Sequence, residues 1–169
     1  KIIAAALEKK IKNELLKLMK DDREKYEQFW AAFGRQLKYG VVDNYGAKKE
    51  LLQDLLLFTT SKEGKLSSLA EYVERMPGEQ EHIYYVCAGS AEQAARLPQV
   101  ERVADRGWEL LYLTEEADEF VMNALREVSG KQLKSVSDPD ALPETEEEKV
   151  RQEKQAEDAK PVLDFVKET

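Results

Sequence analysis

Apolar residues at Ile3, Leu7, Ile11, Leu15 and Leu18 follow one another at helical spacing, so the chain opens on one stripe of an amphipathic helix. Asp21 and Asp22 interrupt it, and either can cap a second helix. In that helix Tyr26, Phe29, Trp30, Phe33 and Leu37 keep the same periodicity. Gly40 and the stretch Asn44 to Gly46 break the pattern. Leu51, Leu52, Leu55, Leu56 and Phe58 then mark a third helix. Residues 1–60 therefore read as a helical hairpin block, a coil-like linking segment.

The pattern changes after a polar loop from Thr60 to Leu66. Ser67 or Ser68 can cap a short helix running to Met76, with Glu71 placed to close a capping box on Ser68. Pro77 and Gly78 sit in a polar turn that runs into five contiguous apolar or aromatic residues, Ile83 to Cys87. This reads as a buried strand over 82–87. Ala88-Gly89-Ser90 breaks it. A helix over Ala91 to Leu97 is ended by Pro98, and another over Val100 to Arg106 is stopped by Gly107. Trp108 to Leu113 reads as a second buried strand, Ala117 to Val128 as a helix, and Leu133 to Val136 as a third, shorter strand. Strand, helix, strand, helix, strand predicts an α/β fold: a small three-layer αβα subdomain over 61–137 with a three-stranded parallel sheet. The His82 strand, apolar throughout, belongs at the centre of an order 2-1-3. The strand at 133–136, flanked by Lys131, Lys134 and Ser137, suits an edge.

Residues 138–160 change character again. Nine acidic residues stand against four basic ones, with almost no large apolar side chain. They read as an acidic solvated linker or frayed helix. Val162, Leu163, Phe165 and Val166 then look like the start of another packed element within 138–169. At the other end, the chain opens at Lys1 inside a helical pattern with nothing cap-like before it, which reads as a piece of a longer protein.

Charge narrows the function classes. Thirty-four Asp and Glu against 26 Lys and Arg give a formal net charge of −8 over 169 residues. An acidic chain repels phosphate backbones and anionic lipid, so nucleic acid and membrane are not expected partners. No apolar run approaches the roughly 20 residues of a membrane span, and no signal-peptide pattern is present. One cysteine without a partner suits a reducing cytoplasm.

Little in the chain points to catalysis. A single His and a single Cys cannot supply the roughly four ligands of a zinc site. His82 and Cys87, five residues apart, point to opposite faces of a strand, so a thiol dyad is disfavoured and Cys87 reads as core filler. Ala88-Gly89-Ser90 lies where phosphate loops sit, yet it carries one glycine and no following lysine. The carboxylates Glu115, Glu116, Asp118 and Glu119 could serve a small α/β enzyme domain. They also complement a helix dipole, which is the simpler reading. One residue stands apart. With Val121 at zero on a wheel of about 100° per residue, Ala117, Ala124, Leu125 and Val128 fall within about 60°, while Phe120 lies roughly 100° away. Glu119 and Asn123 are near the far side. Phe120 is thus expected at the surface, either as an isolated exposed aromatic or as an adhesive spot for other proteins.

Several segments in fixed order resemble one family. They are Lys25-Tyr26-Glu27-Gln28-Phe29-Trp30, Ser68 through Met76, His82-Ile83-Tyr84-Tyr85, Asp118-Glu119-Phe120 and Leu133-Lys134-Ser135-Val136. Together, up to about Lys154, the chain resembles the middle domain of the heat-shock protein 90 family, bacterial type. The resemblance implies a segment of an ATP-dependent dimeric molecular chaperone. ATP and magnesium would bind in a separate N-terminal domain, with the arginine that reaches the γ-phosphate shortly before Lys1. Dimerisation would lie in a C-terminal domain, so this chain alone would hold no cofactor and no ATPase site. It further implies contact with non-native client proteins through Glu119, Phe120 and Asn123. Lys9 and Lys10 match the face that recruits the seventy-kilodalton heat-shock chaperone.

Overall fold

The break between the first two helices falls where the paired aspartates predict it. Asp22 takes the N-cap of the second helix, and its side chain accepts a hydrogen bond from the Lys25 backbone N–H at 3.2 Å. The computed structural model describes residues 2–143, so the tail at 144–169, including the expected apolar return at Val162 to Val166, lies outside the described residues. Helix α1 spans Ile2–Asp21 and α2 spans Arg23–Gly46. Near its end α2 leaves helical geometry: Asp43 is extended, and Asn44, Tyr45 and Gly46 all take positive φ (51°, 57° and 78°). Only the glycine does so without steric cost. Helix α3 (Lys49–Leu52) and a 3₁₀ turn (Gln53–Leu55) follow.

The third predicted helix is then cut short. Leu56 is extended, and Leu57–Thr60 form a strand, β1, which pairs antiparallel with β2 (Leu66–Ser68). Ser68 caps α4 (Leu69–Arg75), and Glu71 completes the capping box, as the spacing predicts. Strand β3 (Ile83–Cys87), α5 (Ala91–Ala94), α6 (Pro98–Ala104), β4 (Leu111–Leu113) and α7 (Glu116–Leu125) follow. Two short strands, β5 (Glu127–Val128) and β6 (Lys131–Ser135), close the sequence of elements.

The sheet has six strands in the order β2-β1-β4-β3-β6-β5, not three, and it is mixed, not parallel. Its centre matches the expected 2-1-3 order, with β3 parallel to both β4 and β6. The correction lies outside that centre. β1 pairs antiparallel with β4, and β5 pairs antiparallel with β6, so β6 is not the edge strand. β5 occupies that edge with two residues, too short to present a long unpaired ladder.

Alternation along the strands divides the buried residues between two faces. Ile83 and Tyr85 of β3, with Leu111 and Leu113 of β4, join Tyr26, Trp30, Leu69, Tyr72, Val121 and Leu125 in one core. Tyr84, Val86, Leu110 and Tyr112 are buried on the opposite face, where α5 and α6 bring Ala94, Val100 and Val103. The main core is pinned by tyrosine hydroxyls as well as by apolar area. Tyr26 Oη donates to the Leu55 carbonyl at 2.5 Å, and Tyr72 Oη donates to the Glu109 carbonyl while accepting from Gln80 Nε2. Burial pushes the Tyr72 phenol up to about 12. These contacts fall within a compact unit ending at Asp138. A second unit begins at Pro139, and in its described part Ala141 and Leu142 are buried.

Candidate functional site

Helix α7 carries most of the candidate residues, and its placement begins with its first turn. Glu116, Asp118 and Glu119 crowd the N-terminus, where the helix dipole favours negative charge. Asp118 is not a surface carboxylate, however. It is buried, and its Oδ2 accepts from the backbone N–H groups of Thr114 (3.2 Å) and Glu115 (3.1 Å), two donors that no helical carbonyl can serve. Its Oδ1 lies 2.6 Å from Nζ of Lys38, and the same ammonium is 3.1 Å from Glu115 Oε1.

Lys38 comes from the middle of α2 and is only 3% exposed. It lies 5.5 Å from the ring centroid of Trp30 and 5.3 Å from that of Phe58, so its charge meets two aromatic faces and two carboxylates. Glycine at 34 makes room for this arrangement. A Cβ there would fall 2.8 Å from the Trp30 indole. A buried charge pair is favourable only where its remaining polar valences are met. The two backbone donors to Asp118 Oδ2 and the second carboxylate on Lys38 provide most of that, while Asp118 Oδ1 has the charge of Lys38 beside it and no hydrogen bond. The carboxylates at 115–119 therefore do not converge on a reaction centre. Asp118 and Glu115 hold α7 against α2, while Glu116 and Glu119 face solvent. Among the described residues no group of three or more His, Cys, Asp or Glu could hold a metal.

With one side of α7 fixed by Ala117, Val121, Met122 and Leu125, the other side is presented outward. Phe120 is 62% exposed, and Glu119 and Asn123 are exposed beside it, as the helical wheel predicts. A fourth residue belongs to this surface. Cys87 is exposed, not core filler as its apolar neighbours suggest, because it is the last residue of β3 and emerges where the strand leaves the core. Burial pushes its thiol pKa up, and the carboxylates of Glu119 and Asp118 push it the same way. Glu119 also raises the buried Tyr85 phenol, after burial itself, Cys87 and Asp138. The Glu119 side of α7 thus faces the C-terminal end of β3. His82 lies at the opposite end of that strand, so no thiol–imidazole pair forms.

Comparison with known proteins decides the family. The Hsp90 protein family matches residues 1–169. The chain belongs to the Hsp90 family. It is similar to the Chaperone protein HtpG of Bacillus subtilis (strain 168), 49% identical over 167 residues, which cover 99% of this chain and 27% of that protein. The Chaperone protein HtpG of Clostridium botulinum (strain 657 / Type Ba4) is 52% identical over 147 residues, covering 87% of this chain and 24% of the relative. That of Clostridium perfringens (strain 13 / Type A) is 49% identical over 166 residues, covering 98% and 26%. The chain spans about a quarter of the length of these bacterial relatives.

Within this Hsp90 chain the remaining candidates, Lys9 and Lys10, are exposed on α1. Their neighbours anchor α1 instead: Lys12 pairs with Asp54 at 2.5 Å and Glu8 with Lys48 at 2.6 Å. Sequence reasoning passed over Lys38. The signal was available, because Tyr26, Trp30, Gly34, Lys38 and Val41 form one buried face of α2 with a lysine inside it. A cation on an apolar stripe requires a buried partner.

Proposed function

We propose that this chain is a client- and partner-binding segment of an ATP-dependent molecular chaperone, corresponding to part of its middle domain. In this reading residues 1–60 link to the small αβα subdomain at 61–137, lending it β1 (Leu57–Thr60) as a strand of its sheet, and 138–169 lead towards a C-terminal domain. Glu119, Phe120 and Asn123 contact non-native client proteins, with Cys87 at the margin of the patch. Lys9 and Lys10 on α1 contact the seventy-kilodalton heat-shock chaperone. ATP and magnesium are bound, and homodimers formed, by parts of the whole cytoplasmic protein outside this chain. The chain by itself is not an enzyme. The alternative, an enzyme domain using the carboxylates at 115–119, loses its support because Asp118 and Glu115 are engaged by Lys38.

The observation that carries the reading is an aromatic side chain 62% exposed on a helix locked to the core on its other face. Such a residue loses little on truncation in the folded state and can anchor an apolar segment of an unfolded chain. Phe120→Ala should change folding stability by less than about 0.5 kcal/mol. It should weaken binding of a reduced, alkylated unfolded protein by about 1–2 kcal/mol. Melting and client affinity are measured on the same variant. Unchanged affinity at unchanged stability removes Phe120 from the site. Calorimetric titration of the chain with Mg-ATP should give no heat above dilution, and micromolar binding would overturn the placement of the nucleotide site.

A further inference from the structure

Among the described residues, the sheet face opposite α7 is covered by α5 and α6, four and seven residues long. Beneath them lies a cavity of about 660 Å³, lined in part by Ser61, Arg96, Val103, Trp108 and Tyr112. That size and a wall of mixed polar and apolar groups suit a small amphipathic organic molecule. Its polar groups are mostly donors. Trp108 is 8% exposed, and no described residue accepts from its indole N–H. The ring itself is fixed, stacked on Tyr84 at 5.6 Å and 4° between planes, with the Arg106 guanidinium 5.7 Å from its centroid. Ser61 Oγ accepts from the Leu110 N–H at 3.0 Å, which leaves its hydroxyl hydrogen to donate. Burial raises the Tyr112 phenol pKa, so the hydroxyl stays protonated and able to donate. Arg96 lies at the exposed rim. The Glu92 carboxyl is lowered by hydrogen bonds from its own backbone and from Ser90 and, least, by the charge of Arg96, which pairs with no carboxylate at hydrogen-bond distance among the described residues. Against these four donors the cavity lining offers one carboxylate, Glu101.

We propose that this cavity binds a small organic acid, its apolar body against Leu97 and Tyr112 and its carboxylate held by Arg96 and the neighbouring donors. A buried indole N–H without an acceptor is rare in a settled fold and is matched by a ligand that brings one. A guanidinium at the rim supplies the charge-assisted contact that separates an acid from its neutral analogue. This site is independent of the client reading, since it uses the other face of the sheet and none of the residues on α7.

The test uses the full chain labelled with nitrogen-15. Its two tryptophans give two indole N–H signals, assigned by Trp108→Phe. Naphthalene-2-acetate and its neutral amide are titrated separately. The acid should shift the Trp108 signal saturably and leave the Trp30 signal in place. The amide should bind at least tenfold more weakly, and Arg96→Gln should bring the acid to the amide's affinity. Arg96 is exposed, so that variant keeps its fold, which the unchanged remainder of the spectrum verifies. Equal binding of acid and amide, an acid affinity unaffected by Arg96→Gln, or no Trp108 shift up to millimolar acid overturns the proposal. A shift produced only by peptides with a free C-terminal carboxylate, and not by the small acid, overturns it equally.

Discussion

Helices α1 and α7 both expose apolar side chains, but they do so in different ways. On α7 a single aromatic, Phe120, stands out from a helix whose opposite side is buried and whose first turn is tied to α2 by the Lys38–Asp118 pair. On α1 the first half of the stripe is exposed: Ile3 at 84%, Leu7 at 56% and Ile11 at 50%. Only Leu15, Leu18 and Met19, towards its C-terminal end, reach the core. The period of the apolar positions is the same along all of α1, so periodicity alone does not say where packing stops. Burial energy does: each large apolar side chain taken out of water contributes about 1.5–3 kcal/mol, and α1 collects this only over its last two turns. An exposed residue on a braced helix is a fixed feature, whereas the first half of α1 is a stripe that no described residue covers.

The largest effect should come from the brace. Lys38→Ala leaves Asp118 buried without its counter-charge and should cost about 3–5 kcal/mol, seen as a large fall in melting temperature. Lys38→Met combined with Asp118→Asn should recover much of that loss. If Lys38→Ala melts like the wild type, α7 is not held by this pair and the contrast with α1 collapses.

Next in size is the difference within α1. Leu15→Ala should cost about 2 kcal/mol, towards the low end for a large-to-small change because the site is only half-buried. Leu7→Ala should stay within about 0.5 kcal/mol. Denaturant titration of the two variants compares them directly. Equal losses would mean that the whole stripe is packed.

The smallest effect tests the geometry around Phe120. The Cys87 thiol is held above its ordinary value by burial and by Glu119 and Asp118, so at pH 8 less of it is thiolate and alkylation should be slower than for a free thiol. Glu119→Gln removes one of the raising charges. It should lower the thiol pKa and speed iodoacetamide labelling severalfold at pH 8, with no change in melting. A labelling rate that ignores residue 119 would place Glu119 away from β3.

Much of this architecture was legible in the chain. The Ser68–Glu71 capping box, the central position of β3 and the outward turn of Phe120 follow from spacing, because each depends on a few neighbouring residues. β1 did not. Leu55, Leu56, Leu57 and Phe58 are all buried, and a strand covered on both faces has no period-two alternation to distinguish it from a helix. β2 and β5, three and two residues long, exist through their partners and carry no pattern of their own. Within the candidate site, Glu119, Phe120 and Asn123 were visible from one helix. Lys38 was missed and Cys87 was misplaced in the core, because one acts across 80 residues of sequence to Asp118 and the other depends on where β3 leaves the core.

The Lys38–Asp118 pair also bears on how this protein can change over generations. A buried cation and its carboxylate are a lock with two keys: loss of either alone is punished, so the two positions are free to drift only together. Residues 119, 120 and 123 share the helix with Asp118 but take no part in the lock. They can be exchanged one at a time without a toll on folding. α7 is thereby a platform whose outward face can be rewritten while the scaffold beneath it is inherited intact.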